Sequence, residues 1–275
     1  MLLNKLITPL CVLIASVGFS QNPTENKNIM TQESTITTEN IRYTCDNKVL
    51  QGMIAFDSKS TSKRPIVLVI HEWWGINNYM ARRIKQLAEL GYLAMAVDLY
   101  GINTTANSVE EAVTLSTPLY QNAALAKQRF DSALQLIKKN NYADTSKIAI
   151  IGYCFGGSMA LNFAKMGENV KGVVSFHGGL KGVTPQKKLL TAKILICHGA
   201  DDQFVKKEEV DAFKKEMDAI DADYIFKEYA GATHAFSNTE ATGLGKKFQI
   251  PIAYNKAADV DSWNEMKKFL RIIFK

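Results

Sequence analysis

Apolar runs separated by polar turn residues recur along most of the chain. Eight of them predict β-strands, and these lie at residues 41–45, 51–56, 66–70, 93–97, 148–151, 170–175, 194–197 and 224–228. The later runs are unbroken stretches of Val, Ile, Leu and Ala, a pattern typical of strands that are covered on both faces of a parallel sheet. We therefore expect a mostly parallel sheet of about eight strands.

Segments with apolar residues three and four apart lie between these runs and predict amphipathic helices. The clearest span residues 79–90, 123–138, 158–166, 208–220 and 260–274. This alternation follows an opening pair of strands joined near Asp46 and Asn47, which predicts a doubly wound α/β sheet flanked by helices. The polar segment at residues 101–118 follows a strand end, and we predict that it is a lid or a substrate-binding loop.

The N-terminal region has a different character from the rest of the chain. Lys5 precedes a mostly apolar run at residues 6–19, and small residues precede Gln21. This pattern predicts a secretory signal peptide at residues 1–20 and an exported, periplasmic or secreted protein. The alternative is a membrane anchor, but the run is shorter than the roughly 20 apolar residues that a bilayer span needs. We expect no integral membrane span after the signal peptide is removed.

The following segment, residues 21–40, is rich in Thr, Asn, Glu and Ser and predicts a disordered tether. The predicted domain therefore spans residues 41–275, a length at which one α/β domain buries a continuous core. The formal net charge of +6 is dispersed and mixed with acidic residues. Nucleic-acid binding requires a clustered basic face, so we expect no nucleic-acid partner. We expect a monomer or a weak homo-oligomer.

Cleavage of the signal peptide leaves Cys45, Cys154 and Cys197, an odd number of cysteines in an oxidising compartment. At least one thiol is therefore expected to stay free or to bond to another molecule. The sequence leaves open whether Cys45 and Cys197 are bonded to each other. A thiol–disulfide exchange function is a further hypothesis for Cys154, which the absence of a Cys-x-x-Cys pair weakens.

The surroundings of Cys154 predict a nucleophile. The strand predicted at residues 148–151 leads directly into Gly152-Tyr153-Cys154-Phe155-Gly156 and then into a helix. A Gly-x-nucleophile-x-Gly turn forces its central residue into a strained, exposed conformation, and small residues on both sides relieve crowding. The N-terminus of the following helix favours a thiolate over a thiol. The alternative is a small buried cysteine in an ordinary turn.

A nucleophile in such a turn needs an acid and a histidine, which follow it in that order along the chain. His234 follows every suitable acid that itself follows Cys154. Asp201 and Asp202 both leave the strand predicted at residues 194–197, and Asp202 is favoured because apolar side chains follow it two and three positions later. Asp201 is the alternative. The other histidines, for which we predict structural or pocket-lining roles, are His71, His177 and His198.

The end of the strand predicted at residues 66–70 lies where an oxyanion-binding N–H group is expected. The N–H of Trp73 is the candidate donor, and the N–H of Phe155 is its candidate partner. The neighbouring Glu72 is unusual for a plain esterase if its carboxylate lies near the nucleophile. A surface acid at a strand end is the alternative explanation.

Five blocks of sequence occur in the order and approximate spacing of one known family. They are His71-Glu72-Trp73-Trp74-Gly75, Val97-Asp98-Leu99-Tyr100, Gly152-Tyr153-Cys154-Phe155-Gly156-Gly157, Asp202-Gln203-Phe204-Val205 and Gly231-Ala232-Thr233-His234-Ala235-Phe236. Through these blocks the chain resembles the dienelactone hydrolase family over nearly the whole mature chain.

The resemblance implies an α/β-hydrolase fold that cleaves a small-molecule ester or lactone without a metal or an organic cofactor. It implies a triad of Cys154, His234 and Asp202, and a glutamate, Glu72, that interacts with the resting thiol and helps to release it for attack. The N–H groups of Trp73 and Phe155 would hold the oxyanion. The residues predicted to bind substrate are Trp74, Tyr100 and Phe236.

Two positions depart from the family pattern and affect the expected substrate. Members that act on dienelactone carry arginines that hold the substrate carboxylate, and the corresponding positions here are Gly101 and Asn238. Dienelactone itself is therefore not the expected substrate unless Arg82, Arg83 or a lysine at residues 181–188 replaces them. A non-catalytic protein that binds small molecules on the same fold is the alternative function.

Overall fold

The computed structural model describes residues 35–275. The predicted signal peptide at residues 1–20 and most of the predicted tether lie outside this range. The prediction that the tether extends to residue 40 is wrong at its end, because the first strand begins at Ile36 and pairs that residue with Asp57. Residues 37–40 are polar and therefore gave no strand pattern in the sequence. They tolerate polarity because this strand lies at the edge of the sheet and is largely exposed to solvent.

Residues 35–275 contain eight strands and seven helices. The strands are β1 (Ile36–Cys45), β2 (Lys48–Asp57), β3 (Arg64–Ile70), β4 (Leu93–Val97), β5 (Ala143–Tyr153), β6 (Gly172–Phe176), β7 (Lys193–Gly199) and β8 (Tyr224–Tyr229). The helices are α1 (Asn78–Glu89), α2 (Val109–Gln121), α3 (Ala123–Ile137), α4 (Phe155–Lys165), α5 (Lys207–Ala219), α6 (Ala241–Phe248) and α7 (Lys256–Ile273).

The strands form one sheet in the order β1-β2-β4-β3-β5-β6-β7-β8. The pairs β1–β2 and β2–β4 are antiparallel, and the other neighbours are parallel. Helices flank the sheet, so the predicted doubly wound, mostly parallel α/β fold is confirmed. The predicted turn at Asp46 and Asn47 is also present, and both residues adopt positive φ, of 47° and 60°, as a tight two-residue hairpin turn requires.

Parallel pairing brings the candidate residues to one edge of the sheet. Ile70 at the end of β3 pairs with Gly152 in β5, so Glu72 and Cys154 both follow these paired positions by two residues. Asp202 follows the end of β7, and His234 follows the end of β8. The carboxyl edge of a parallel sheet is where such folds place their ligand sites.

Two helices differ from the predicted elements. The segment at residues 101–118 was predicted as a lid or loop, but most of its second half belongs to α2, which Ser108 caps by accepting a hydrogen bond from the Glu111 N–H. Its Ser, Thr and Pro residues are weak helix formers, which explains the missed helix. Helix α6 was not predicted, because Gly243 and Gly245 lie within it and glycine is a poor helix former.

Cys45, Cys154 and Cys197 are all free thiols in the structure. Cys197 is buried and accepts a hydrogen bond from the hydroxyl of Tyr229. Of the helices within residues 35–275, none is both long enough and apolar enough to cross a membrane.

Candidate active site

Cys154 lies at a sharp turn between β5 and α4. Its φ of 53° and ψ of −115° place it in a region that residues with a side chain rarely adopt. Its N–H donates to the carbonyl of Phe176 over 3.0 Å and to Nδ1 of His177 over 3.2 Å. These contacts to the neighbouring strand end hold the strained backbone in place.

The glycines on either side of Cys154 are required by close backbone contacts. A Cβ atom at Gly152 would lie 2.0 Å from the carbonyl oxygen of Gly156. A Cβ atom at Gly156 would lie 2.2 Å from the carbonyl oxygen of Ile70 in β3. Helix α4 therefore begins directly against the sheet, and only glycine at both positions permits this approach.

Asp202 pairs with His234 at this edge of the sheet. Its Oδ2 lies 2.7 Å from Nδ1 of His234, and its Oδ1 accepts from the N–H groups of Phe204 and Val205. Burial opposes the charge of Asp202, but the hydrogen bonds from His234 and from the two backbone N–H groups outweigh it and lower the pKa of this carboxyl. The structure thus brings Asp202 to the histidine, whereas Asp201 is exposed to solvent.

His234 lies between Asp202 and Cys154. Burial disfavours the charged imidazolium, but the charge of the Cys154 thiolate and the hydrogen bonds to Asp202 and Cys154 together raise the pKa of His234 well above its ordinary value. The ring also packs against Phe204, with ring centroids 5.0 Å apart. The arrangement therefore favours a protonated imidazole beside Cys154.

Glu72 is a buried carboxyl that lines the same cavity as Cys154. Burial raises its pKa from 4.5 to about 7, against the opposing effects of the Asn238 hydrogen bond and the charge of His234. Nδ2 of Asn238 donates to Oε2 of Glu72 over 2.7 Å. Asn238, which replaces an arginine of the family pattern, thus holds Glu72 in place. Because Glu72 is buried, it is not a surface acid at a strand end.

A cavity of about 390 Å³ opens above these residues. Its walls are mainly aromatic and aliphatic, and α2 supplies one of them. Trp74 is a wall residue and stacks on Phe248 at a centroid distance of 5.4 Å. The other apolar side chains of the wall are Trp73, Val113, Tyr120, Phe204, Val205, Ala235 and Ile252.

Few charged groups line this cavity besides Glu72 and His234. They are Lys181 and Glu209, and Nζ of Lys181 lies 3.6 Å from Oε2 of Glu209. Glu209 also accepts from the N–H groups of Leu180 and Lys181. Of the basic residues considered as replacements for the missing arginines, only Lys181 lines the cavity.

The arginines of α1 bind elsewhere. Arg82 donates to Thr239, and the buried Arg83 bonds to Asp259 and to the carbonyl of Ser237. Neither lines the cavity, so neither replaces the arginines of the family pattern.

Two of the three predicted substrate-binding residues do not line the cavity. Tyr100 is 2% exposed, and its hydroxyl donates to the carbonyl of Trp73. Phe236 is fully buried and packs against His177. These two predictions are wrong. Both side chains are buried and pack behind the cavity wall, because the chain next to each sequence motif turns into the core.

Sequence reasoning missed the wall residues that α2 and α5 contribute. Val113 and Tyr120 are seven positions apart on α2, so they share one face of that helix. This spacing would have identified them had the helix been recognised. No sequence pattern indicated Glu209, because its bonds to the N–H groups of Leu180 and Lys181 join segments that are far apart in the sequence.

The two predicted oxyanion donors have free N–H groups. Phe155 is the first residue of α4, where the helix itself offers no acceptor. Within residues 35–275 neither the N–H of Phe155 nor that of Trp73 has an acceptor outside the helices and strands. The same part of the chain contains no cluster of three or more His, Cys, Asp or Glu residues that could hold a metal ion.

Comparison with known proteins assigns the chain to a family. The model of the dienelactone hydrolase family matches residues 50–274. This chain belongs to the dienelactone hydrolase family. Membership makes it a hydrolase of carboxylic esters or lactones.

Individual relatives agree with this assignment. Protein usf of Aquifex pyrophilus is 27% identical and aligns with 75% of this chain and 87% of its own length. A protein of Aquifex aeolicus with a provisional carboxymethylenebutenolidase name is 31% identical over 63% of this chain and 77% of its own. Among solved structures, the dienelactone hydrolase-like promiscuous phosphotriesterase P91 from metagenomic libraries is 28% identical, with a TM-score of 0.81 over 88% of this chain and 100% of its own.

The tight contact at Gly156 predicts a loss of stability in Gly156→Ala. The added methyl group would meet the Ile70 carbonyl, which the sheet holds in place, so we expect the free energy of unfolding to fall by about 1–3 kcal/mol. Urea denaturation measures this change. Gly243→Ala is the matched control, since Gly243 is an exposed helical glycine with open space around it, and it should gain up to about 1 kcal/mol. Equal effects of the two substitutions would contradict the proposed contact.

The raised pKa of Glu72 predicts a pH-dependent stability. The folded chain keeps the Glu72 proton up to about pH 7, whereas the unfolded chain releases it near 4.5. Wild-type stability should therefore fall, relative to Glu72→Gln, as the pH rises between these values, by at most about 3 kcal/mol. Thermal unfolding at pH 5 and pH 8 measures the difference. A gap that does not widen towards pH 8 would show that Glu72 ionises normally.

Proposed function

We propose that this chain hydrolyses uncharged carboxylic esters or lactones through a thioester formed on Cys154. The observation that carries the proposal is the arrangement of three side chains: the strained Cys154 and His234 line one apolar cavity, and Asp202 bonds to His234 behind them. A nucleophile, a proton carrier and an orienting carboxylate in this order constitute the machinery of acyl transfer.

Acylation begins from the thiolate and the imidazolium. The Cys154 sulfur attacks the carbonyl carbon of the substrate, and the carbonyl oxygen becomes an oxyanion that accepts from the N–H groups of Trp73 and Phe155. The C–O bond to the alcohol then breaks, and His234 donates its proton to the departing alkoxide. In a lactone, the released alcohol stays attached to the acyl group. The product is a thioester on Cys154.

Deacylation reverses the roles of the groups. His234, now neutral, removes a proton from a water molecule as the water oxygen attacks the thioester carbon. The same N–H groups stabilise the second oxyanion, and the C–S bond breaks to release the carboxylic acid. The thiolate and the imidazolium are restored. Asp202 fixes the tautomer of His234 and stabilises its charge in both steps.

Glu72 controls the protonation of the thiol in the resting enzyme. With a pKa of about 7, it exchanges a proton with its surroundings near neutral pH. In the proposed activation step the ionised carboxylate takes the proton of the Cys154 thiol, so that a thiolate and a neutral carboxylic acid result. Burial favours the neutral product on Glu72, and Asn238 keeps the carboxyl group in place.

The cavity favours a substrate without a negative charge. Its walls are mostly apolar, and its exposed lysine, Lys181, is already paired with Glu209. A substrate carboxylate would have to displace Glu209 from Lys181 and would be repelled by it. An uncharged acyl group meets no such penalty.

We also propose that the mature chain acts outside the cytoplasm. The support is the signal peptide predicted at residues 1–20, which lies outside the described residues. The free thiol at Cys154 is compatible with export, because no other cysteine among residues 35–275 is bonded to it.

Replacement of the sulfur should abolish most of the turnover. We expect Cys154→Ser to lower kcat on a panel of neutral esters and lactones by about 10²–10⁴-fold, because Glu72 and His234 are matched to a thiol. Cys45→Ser is the control, since it makes the same atomic change outside the cavity. Comparable rates in wild type and Cys154→Ser would refute the thioester mechanism. The alternative is a binding protein. It would be indicated if wild type and Cys154→Ala bound these esters equally tightly and wild type turned none of them over.

The Lys181–Glu209 pair predicts the charge selectivity of the enzyme. Two esters of equal size are compared, one ending in a carboxylate and the other in an amide, and wild type should prefer the amide. Glu209→Gln keeps the backbone hydrogen bonds but frees Lys181, so kcat/KM for the carboxylate should rise about 2- to 5-fold relative to the amide. Asp221→Asn is the matched control, because it releases Lys187 from an exposed pair outside the cavity. An equal change in both variants would rule out a role for Glu209 in selectivity.

A further inference from the structure

His71 is a buried histidine that the proposed mechanism leaves without a role. It is fully buried at the end of β3 and does not line the cavity. Its Nε2 accepts a hydrogen bond from the backbone N–H of Leu99 over 3.3 Å. Burial lowers the pKa of His71, so the ring is neutral and its single proton is on Nδ1.

The proton on Nδ1 is donated to one particular carbonyl. Nδ1 of His71 lies 2.6 Å from the carbonyl oxygen of Glu72, which also accepts from the N–H of Gly75 over 3.1 Å. This carbonyl belongs to the same peptide group as the N–H of Trp73. A trans peptide group is planar, and its C=O and N–H point in opposite directions. Fixing the Glu72 carbonyl therefore fixes the direction of the Trp73 N–H.

The next peptide group is held in the same way. The hydroxyl of Tyr100 donates to the carbonyl of Trp73 over 3.1 Å, and the Tyr100 ring packs edge-on against His71 with centroids 4.6 Å apart. The carbonyl groups of Glu72 and Trp73 thus each accept a hydrogen bond from a buried side chain. The backbone of Trp73 has no freedom to rotate without breaking one of these bonds.

The second oxyanion donor contacts the same histidine. The ring of Phe155 stacks on His71 with centroids 5.8 Å apart and an interplanar angle of 27°, and it also packs against Tyr100. The N–H groups of Trp73 and Phe155 come from segments far apart in the sequence. His71 contacts both segments, through a hydrogen bond on one side and through its ring face on the other.

A donor on the carbonyl also affects the strength of the Trp73 N–H. Hydrogen bonds in a chain polarise one another in a low-dielectric interior, so a peptide whose carbonyl accepts two bonds donates more strongly through its N–H. The chain here runs from the Leu99 N–H through the His71 ring to the Glu72–Trp73 peptide. Leu99, His71 and Glu72 are buried, which strengthens this effect.

We propose that His71, with Tyr100, is a positioning residue for the oxyanion hole: its neutral Nδ1–H holds the Glu72 carbonyl and thereby aims the Trp73 N–H at the substrate oxyanion. The proposal rests on the thioester mechanism given above. It differs from a purely structural role because it concerns the tetrahedral states and leaves the reactivity of the sulfur unchanged.

Two reactions of Cys154 separate these roles. Ester hydrolysis passes through an oxyanion, whereas alkylation by iodoacetamide displaces iodide at a saturated carbon and forms none. A variant with a misdirected Trp73 N–H should therefore lose hydrolysis and keep alkylation. A variant with a disturbed Cys154 or His234 should lose both.

The first experiment compares His71→Leu with His71→Asn on a neutral ester. Leucine fills similar space without a donor, and we expect kcat to fall about 10- to 100-fold, less than the 10²–10³-fold cost of losing a whole donor, with KM changed by less than about 3-fold. The amide of asparagine lies where Nδ1 lies and can donate to the Glu72 carbonyl, so His71→Asn should recover at least half of this loss on a logarithmic scale. The pH profile of alkylation should match that of wild type in both variants.

Tyr100→Phe keeps the proposal testable if His71→Leu does not fold. It removes the hydroxyl that donates to the Trp73 carbonyl and that also contacts Ser116. We expect kcat to fall about 3- to 10-fold with unchanged alkylation. Tyr229→Phe is the matched control, because it removes a buried hydroxyl that bonds to Cys197 and not to the Trp73 segment. It should leave kcat within about 2-fold of wild type.

Two results would overturn the proposal. One is wild-type kcat in Tyr100→Phe, together with wild-type kcat in His71→Leu where that variant folds. The other is a loss of alkylation equal to the loss of turnover, which would mean that His71 supports the nucleophile and not the oxyanion donors. A wild type that is alkylated at Cys154 but hydrolyses no ester refutes the proposed function itself, and this result is distinct because it appears before any substitution is made.

Discussion

The close approach of α4 to the end of β3 is the constraint on which the site depends. Gly156 touches the Ile70 carbonyl, and this contact sets how near the start of the helix comes to the sheet. It forces Cys154 into a positive φ and leaves the Phe155 N–H at the free end of the helix. The proposed nucleophile and one proposed oxyanion donor therefore depend on the same packing contact. The strain is balanced by the hydrogen bonds that the Cys154 N–H makes with the end of β6.

Burial and hydrogen bonding determine which carboxyl groups of this site are charged. Asp202 stays ionised because His234 and two backbone N–H groups surround it, whereas Glu72 has one amide donor and a pKa of about 7. These two carboxyls of the site thus differ in protonation because their hydrogen-bond partners differ. Asn238 is decisive here, since a cationic side chain at the same place would stabilise the charged form of Glu72.

Much of the fold could be predicted from the sequence because the central strands are buried on both faces. Their apolar runs admit few alternatives, and the glycines around Cys154 mark a turn with one plausible geometry. The helices α2 and α6 could not be predicted, since packing onto the domain overrides the weak helix propensity of their Ser, Thr and Gly residues. The roles of Tyr100 and Phe236 were wrong because proximity to a motif along the chain does not tell which way a side chain turns. Asn238 was noticed only as a missing arginine, although its amide holds Glu72.

Helix α2 contributes a wall of the cavity but no part of the sheet, and its Val113 and Tyr120 line the cavity while nearly half of their surface is exposed. A substitution at Val113 alters the size and polarity of the cavity without changing a strand pair, whereas the Tyr120 ring also packs against Phe155, beside the turn at Cys154. The ends of the strands thus position Glu72, Cys154 and His234, whereas a separate helix determines part of the shape of the cavity. A change in the shape of the cavity at Val113 is therefore separable from a change in the groups that the sheet positions.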